Sequence, residues 1–505
     1  MKAIPSYIKT GLLCLALAGS VSGCKKLLDQ PVAGSFPESD FYKSDEDVEQ
    51  ATTAIYDLMT AHYNSNWASI YMVKTMLSDE GNAGGSNSGD QPGYQTLDDY
   101  SFNASNDKIQ DAWRMMYYTI YRANKVINRS DAGTPKRARL IAEAKALRAY
   151  NYLELVSLWG NVPLVTGDVP PSGFTAVGRA PKADVYAQIE RDLNDAIAVL
   201  PLKSSYSGGD RFRVSKGAAQ AMLGKALLYQ KKWSESAAQF ENVITSNQYG
   251  LEPSIGKVFS QAGEFGTESL FEVSYTTNRS YDWGNFPWGA APESNIHIQL
   301  MGPRSDFYTK APADSLLGGW GFNVPRQKLW DAFQAAGDVN RRKATMMSSL
   351  ELIAAGGNWT SPNAWDFEGY FQRKYGSFQS QTGAPVGELN YGTNWRWIRY
   401  ADVLLMASEA NLNAGNAGKA LTYINLVRQR AGTALPALGT VDMNAIMLER
   451  QLELAFEGVR FQDLVRWGKA SQELSGLGFV AGKHDLLPIP DYDVRSGQLS
   501  QNNLY

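Results

Sequence analysis

Three runs of apolar residues spaced three or four apart follow one another between Ala183 and Ile244, and that spacing commits the chain to packed helices. Val185, Ile189, Leu193, Ala196, Ile197 and Leu200 share one helical face, and Pro201 stops the helix. The same spacing predicts a second helix over 214–230, with Ala218, Met222, Leu223, Ala226 and Leu227 on one side. After Lys231-Lys232 a third helix carries Trp233, Ala237, Phe240, Val243 and Ile244. Earlier helices are predicted over 109–128 and 137–158.

The spacing between these helices carries further information. Leu223-Gly224, followed sixteen residues later by Phe240, matches part of the tetratricopeptide pattern, with Ser236 where that pattern prefers alanine. A second copy runs from Ala407-Ser408 to Ile424 and Val427, with Ala420 at the small position and Gly415-Asn416 in the turn. Helix pairs of this kind bury their apolar faces against the next pair. The expected fold is therefore mostly α, a tetratricopeptide-like helical-pair scaffold forming one domain over 24–505, although length alone would suggest about three domains.

Between the helical blocks the texture changes. Residues 79–106 are rich in Gly, Asn, Ser and Asp, a composition that does not hold a helix. Residues 278–322 contain eight aromatics, among them Tyr281, Trp283, Trp288 and Trp320, without helical spacing and interrupted by Gly and Pro. Long irregular segments in a compact protein are usually functional or disordered, and tryptophan-rich ones are rarely disordered.

At the N-terminus, Lys2 and Lys9 precede a short apolar run, Gly11 to Ala18, and small residues lead into Val21-Ser22-Gly23-Cys24. This is the pattern of a bacterial lipoprotein signal over 1–23, cut just before Cys24, whose thiol then carries lipid. Each buried methylene contributes about 0.8 kcal/mol, so several acyl chains hold a folded body at its membrane. Cys14 leaves with the signal, and the mature chain then has no cysteine pair for a disulfide or a thiolate metal site. The three histidines, His62, His297 and His484, show no metal-ligand spacing, and no spacing of acidic or amide residues identifies a cation site. The net charge of −3 and the lack of a basic run or basic-aromatic stripe argue against a nucleic-acid partner.

Several stretches resemble the SusD/RagB family of nutrient-binding outer-membrane lipoproteins. They are Ala142 to Tyr152 with Trp159-Gly160-Asn161-Val162-Pro163, then Ile398 to Met406 leading through Glu409-Ala410 to Ile424-Asn425-Leu426-Val427-Arg428. The strongest is Glu449-Arg450-Gln451-Leu452-Glu453-Leu454-Ala455-Phe456-Glu457-Gly458, continuing to Arg460, Asp463-Leu464 and Arg466-Trp467-Gly468; Leu487-Pro488-Ile489-Pro490 and Gln501-Asn502 close the set. The stretches occur in family order from Cys24 to Tyr505. The tail departs from the family with Ser496-Gly497 and Leu504. The resemblance implies a helical scaffold carrying irregular ligand loops, no catalysis and no cofactor. It also implies a SusC-type TonB-dependent transporter as partner, a glycan ligand (peptide in the RagB branch), and a lipid-anchored position at the outer membrane, facing outward.

Sugar rings present flat C–H faces that pack on aromatic planes, while their hydroxyls need amide, carboxylate, guanidinium and backbone partners. A loop mixing both classes offers each. The expected site is the junction of residues 79–102 with 278–322. Trp283, Trp288 and Trp320 are the expected stacking platforms, with Tyr281 and Tyr94 beside them and Asn82, Asp79 and Arg304 as hydrogen-bonding partners. Trp67 is a weaker candidate. Trp113, Trp159, Trp233, Trp330 and Trp467 fall in helical patterns and are expected in the core; Trp359, Trp365, Trp395 and Trp397 are assigned to packing. Glu449, Glu453 and Glu457, four apart, resemble a catalytic carboxylate ladder, but the interleaved Arg450, Arg460, Asp463 and Arg466 fit an ion-pair network. Three functions stay open: a glycan-binding lipoprotein, a peptide-binding relative, or a helical scaffold whose aromatic loops form a protein interface.

Overall fold

The computed structural model describes residues 41–61, 67–277, 294–309, 316–383, 389–430, 435–496 and 499–505. Helices dominate. They are α1 (Asp45–Ala61), α2 (Asp107–Arg129), α3 (Pro135–Trp159), α4 (Lys182–Val199), α5 (Lys216–Tyr229), α6 (Trp233–Thr245), α7 (Tyr400–Asn413), α8 (Ala417–Gln429), α9 (Met443–Leu454) and α10 (Arg460–Arg466), joined by short helices and small two-stranded sheets. Their starts follow from local chemistry. The side chains of Asn106, Thr134 and Ser215 accept the backbone N–H three residues on, and Pro135 occupies the first turn where its missing N–H costs nothing.

Each of α2 to α8 packs on the next, so the helical stack is continuous even though the chain leaves it after Thr245 and re-enters at Tyr400. The two predicted repeats meet through their small residues. The Cβ that Gly224 lacks would lie 2.6 Å from the Phe240 ring, which accounts for that sixteen-residue spacing. Ser236, fully buried in α6, donates to the Gly224 carbonyl at 2.8 Å. In the second repeat the hydroxyl sits on the first helix instead: Ser408 donates to the Ala420 carbonyl, also at 2.8 Å. Small size at both positions is what the close approach demands; the hydroxyl adds a bond from either side.

The C-terminal family motif seals the end of α3. Leu487 N–H donates to the Leu158 carbonyl at 2.7 Å and Trp159 Nε1 donates to the Pro488 carbonyl at 3.0 Å. The Asn502 amide donates to the carbonyls of Trp159 and Leu487, tying the last residues to the same helix end.

Two short antiparallel sheets join parts of the chain that are far apart in sequence. In one, β1 (Gly81–Gly84) pairs with β3 (Phe322–Pro325), Gly81 opposite Pro325 and Gly84 opposite Phe322. In the other, β2 (Ser269–Val273) pairs with β4 (Trp395–Arg399). Segment 79–106 is thus more ordered than its composition suggests: besides β1 it holds a short helix, Pro92–Asp98, again with proline in its first turn. Among the described residues no helix is long and apolar enough to cross a membrane. The signal segment and Cys24 lie outside the described residues.

Candidate functional site

The pairing of β1 with β3 joins the two irregular segments. Gly84 is held at φ +72°, and a Cβ there would lie 2.1 Å from the Gly321 carbonyl oxygen, so only glycine permits the approach. Gly85 N–H donates to that same carbonyl at 2.8 Å. Next to Gly321 stands Trp320, half-buried, its N–H donating to the Gln299 carbonyl at 3.0 Å. Arg304 donates to the Trp320 carbonyl at 3.1 Å and pairs with Asp306 at 2.7 Å. The Trp320 ring meets that of Trp67 edge-to-face, centroids 5.1 Å apart and planes at 68°.

Trp67 adopts φ +57°, an uncommon conformation for a bulky residue. Tyr94 holds it there, its phenol donating to the Trp67 carbonyl. Trp365 is the tryptophan left most open among those described, 39% exposed, and its indole N–H donates to Gln95 Oε1 at 3.1 Å. The Gln95 amide in turn donates to the carbonyls of Gly84, at 2.7 Å, and Asp90, at 3.1 Å. The Asn82 amide ties down the same loop by donating to the Asp366 carbonyl at 2.9 Å and Glu368 at 2.8 Å. Burial raises the Asp366 carboxyl above its usual range, against the pull of nearby Arg326. Trp320, Trp67 and Trp365, with Arg304, Asp306 and Gln95, are thereby gathered around one glycine-rich seam. The arrangement offers aromatic surface beside amide, guanidinium and carboxylate groups, which suits a neutral polyhydroxylated ring.

The expected site residues fall into three groups. Trp320 and Arg304 lie at this seam. Trp283, Trp288 and Tyr281 lie outside the described residues. Tyr94, Asp79 and Asn82 are corrected from ligand contact to support. Tyr94 is fully buried, with the Lys108 ammonium 5.2 Å from its ring centroid. Asn82 has both its amide bonds inside the protein. Asp79 is 1% exposed and is gripped by Arg460 at 2.8 Å and Lys328 at 2.7 Å. Burial opposes its charge, but those two cations outweigh burial and hold the carboxyl down at about 2. Trp365 moves the other way, from packing to the exposed face. Its neighbours Asn363, Asp366 and Gly369 are turn formers without apolar spacing, which was the available signal. Trp395 and Trp397 are buried as assigned, and Trp113 and Trp159 pack in the core 5.4 Å apart. Trp359 joins a satellite cluster with Phe307, Phe367 and Phe371, so part of the aromatic excess is packing after all.

The carboxylate ladder is an ion-pair network, though not the one its helical spacing suggested. Helix α9 ends at Leu454, and Phe456 at φ +59° turns the chain before Glu457. The partners come from elsewhere. Arg341 bonds Glu449 at 2.7 Å and Glu453 at 3.0 Å; Arg399 bonds Glu453 at 2.6 Å, Glu457 at 2.7 Å and Glu268 at 2.5 Å; Lys374 bonds Glu457 at 2.8 Å. Burial opposes the charge on Glu453, but Arg430, Arg399 and Arg341 outweigh it and hold the carboxyl well below the usual range. A general acid for glycoside hydrolysis must instead keep its proton. Arg450 and Arg466, placed in the ladder from sequence, serve Asp402, Asp463 and Glu409.

Glu80 is the carboxyl in this region that does keep a proton. It is buried, its Oε2 accepting the Phe456 N–H at 3.0 Å, and desolvation pushes it up to about 8 against the pull of Arg460. The folded state therefore binds this proton more tightly than the unfolded chain, with its ordinary value of 4.5. The associated stability is complete below about 4.5 and is lost as pH rises through about 8. Glu80→Gln keeps the acceptor and removes the titration. Between those limits the wild type is expected to lose on the order of several kcal/mol relative to Glu80→Gln. Urea unfolding of both across that range checks it; parallel pH profiles would refute it.

The SusD family profile matches residues 267–486, and a second profile, described as starch-binding and associating with the outer membrane, matches residues 25–228. A solved laminarin-binding SusD-like protein is 34% identical, with a TM-score of 0.83 over 92% of this chain and 100% of that one. The chain belongs to the SusD/RagB family. Among other solved structures, surface glycan-binding protein A from Bacteroides thetaiotaomicron, in complex with laminarihexaose, is 26% identical with a TM-score of 0.79, covering 91% of this chain and 99% of that chain. SusD-like protein P2 of Formosa agariphila is 27% identical over 97% of this chain and 98% of its own length. The mostly helical, tetratricopeptide-like SusD fold predicted from sequence is the fold observed.

Proposed function

We propose that this SusD-family chain binds an oligosaccharide nutrient on the face around Trp320, Trp67 and Trp365 and passes it, unaltered, to a SusC-type TonB-dependent transporter. In this reading the chain is one SusD-like domain tethered at the outer membrane through lipid on Cys24, its ligand face outward. The observation that carries it is the gathering of three tryptophans around the glycine seam of β1 and β3, beside polar groups already oriented by protein contacts. Two structural relatives are described by their binding of laminarin or laminarihexaose, which supports a β-glucan as the first ligand to try. The carboxylate ladder lends support to binding without cleavage, since its Glu453 is held ionised among arginines.

Calorimetry with laminarihexaose tests the reading. Removing one stacking ring should cost about 1.4 kcal/mol, roughly tenfold in Kd. Trp320→Ala and Trp365→Ala are each expected to weaken binding by about that factor while the protein stays folded. If both variants bind a panel of glycans as tightly as the wild type, the face is wrong; release of shorter sugars from the ligand would overturn the non-catalytic reading.

A further inference from the structure

A cleft of about 800 Å³ lies among the end of α3, the start of α4, the turn between α5 and α6, and α10, and none of the ligand-face residues lines it. Its polar lining includes Arg179, Lys182 and Lys231. Arg179 is half-buried and makes only neutral bonds: to the carbonyls of Asn161, at 2.7 Å, and Ser500, at 2.9 Å, and to the Asn502 side chain. Burial works against its charge. Lys182 and Lys231 are exposed, and among the described residues neither forms an ion pair with a carboxylate. Arg466, also in the lining, is already neutralised by Glu409 and Asp463. The acid in the lining, Asp485, accepts the Gly482 N–H. Arg179, Lys182 and Lys231, none of them ion-paired to a carboxylate among the described residues, thus outnumber the single acid Asp485 around one concave space.

The walls discriminate between kinds of anion. A sugar needs an open aromatic face, and the aromatics here do not offer one. The Tyr229 ring has the Lys225 ammonium 5.8 Å and the Arg466 guanidinium 5.4 Å from its centroid, and Phe461 and Tyr186 are 2% and 9% exposed. The remaining walls are aliphatic, from Val465 and Leu486, and amide, from Asn161 and Gln230. Aliphatic and amide walls with basic corners fit the backbone and side chains of an extended acidic peptide. We propose that this cleft is a docking site for an acidic, extended segment of a partner protein, separate from the glycan face.

The probe is fluorescein-labelled hexaglutamate, with hexaglutamine as its neutral counterpart, titrated into the full-length lipoprotein. Hexaglutamate is expected to bind, to weaken steeply between about 50 and about 500 mM salt, and to lose at least about tenfold affinity in the Lys182→Glu/Lys231→Glu double variant. Both lysines are exposed, so melting temperature and laminarihexaose affinity should stay at the wild-type values. Equal binding of the two peptides, equal hexaglutamate affinity in wild type and variant, or no binding would overturn the proposal. Tighter binding of a sulfated oligosaccharide than of hexaglutamate, lost in the same variant, would also overturn it in favour of an anionic glycan. A wild type that binds hexaglutamate but not laminarihexaose would count against the glycan reading alone.

Discussion

Arg399→Leu is expected to destabilise the fold by about 4 kcal/mol, the range measured when one partner of a buried ion pair is removed. Arg399 ends β4, is 1% exposed, and donates to Glu268, Glu453 and Glu457 as well as to the Glu453 carbonyl at 2.8 Å. Without it, Arg430, Arg341, Lys374 and, from the rim, Arg428 remain, four cations against the five carboxylates Glu268, Asp338, Glu449, Glu453 and Glu457. Leucine fills part of the volume but supplies no donor, so the cost is chiefly that of carboxylates left in low dielectric. The cluster joins α9, the loop after it, β2 and β4, so its loss should lower the cooperativity of unfolding as well as the midpoint. Urea titration followed by circular dichroism reads both. A change below about 1 kcal/mol would mean that the surrounding cations suffice, and that the cluster behaves like an exposed network.

Gly84→Val should leave the helical stack intact and remove glycan binding. A Cβ at Gly84 meets a backbone oxygen at 2.1 Å, which no rotamer change relieves. The left-handed φ adds about 1–2 kcal/mol for a non-glycine residue, and forced displacement of β3 adds a similar amount. β1 must separate from β3, and that seam places Trp320 through Gly321 and Trp365 through the Gln95 bond to the Gly84 carbonyl. Laminarihexaose affinity is therefore expected to fall by well over tenfold, while helical ellipticity stays within a few per cent. Gly439→Ala is the control, since nothing lies within 4 Å of the added methyl group. Wild-type affinity in Gly84→Val would show that the seam does not organise the site.

The helices were legible because their signals are local. The apolar faces of 183–200, 214–230 and 233–244 and the tight Gly224–Phe240 contact all act within one or two turns or across one short loop. Helix limits in the structure, such as Lys182–Val199 and Pro135–Trp159, fall within a few residues of those read from spacing. The site was half legible. Composition marked segments 79–106 and 278–322 as irregular, and β1 and β3 do bring parts of them together. It did not say which aromatics face outward: Tyr94, Phe307, Tyr308 and Phe322 turn into packed clusters, while Trp365 turns out.

Helix periodicity, the small-residue contacts within each repeat and the ordered family motifs were written in the chain itself, because each depends on residues near one another in sequence or on their identity alone. Tertiary packing alone chose the partners of Glu449, Glu453 and Glu457. Arg341, Arg399 and Arg430 reach those carboxylates from distant parts of the chain, whereas the arginines beside them in sequence turn to Asp402, Asp463, Glu409 and Asp79. The physical reason is that a buried charge takes whichever counter-ion the packed core delivers to it. Helical adjacency supplies some buried partners as well, as in the Arg341–Asp338 and Arg466–Asp463 pairs three residues apart, but it did not supply those of the three glutamates.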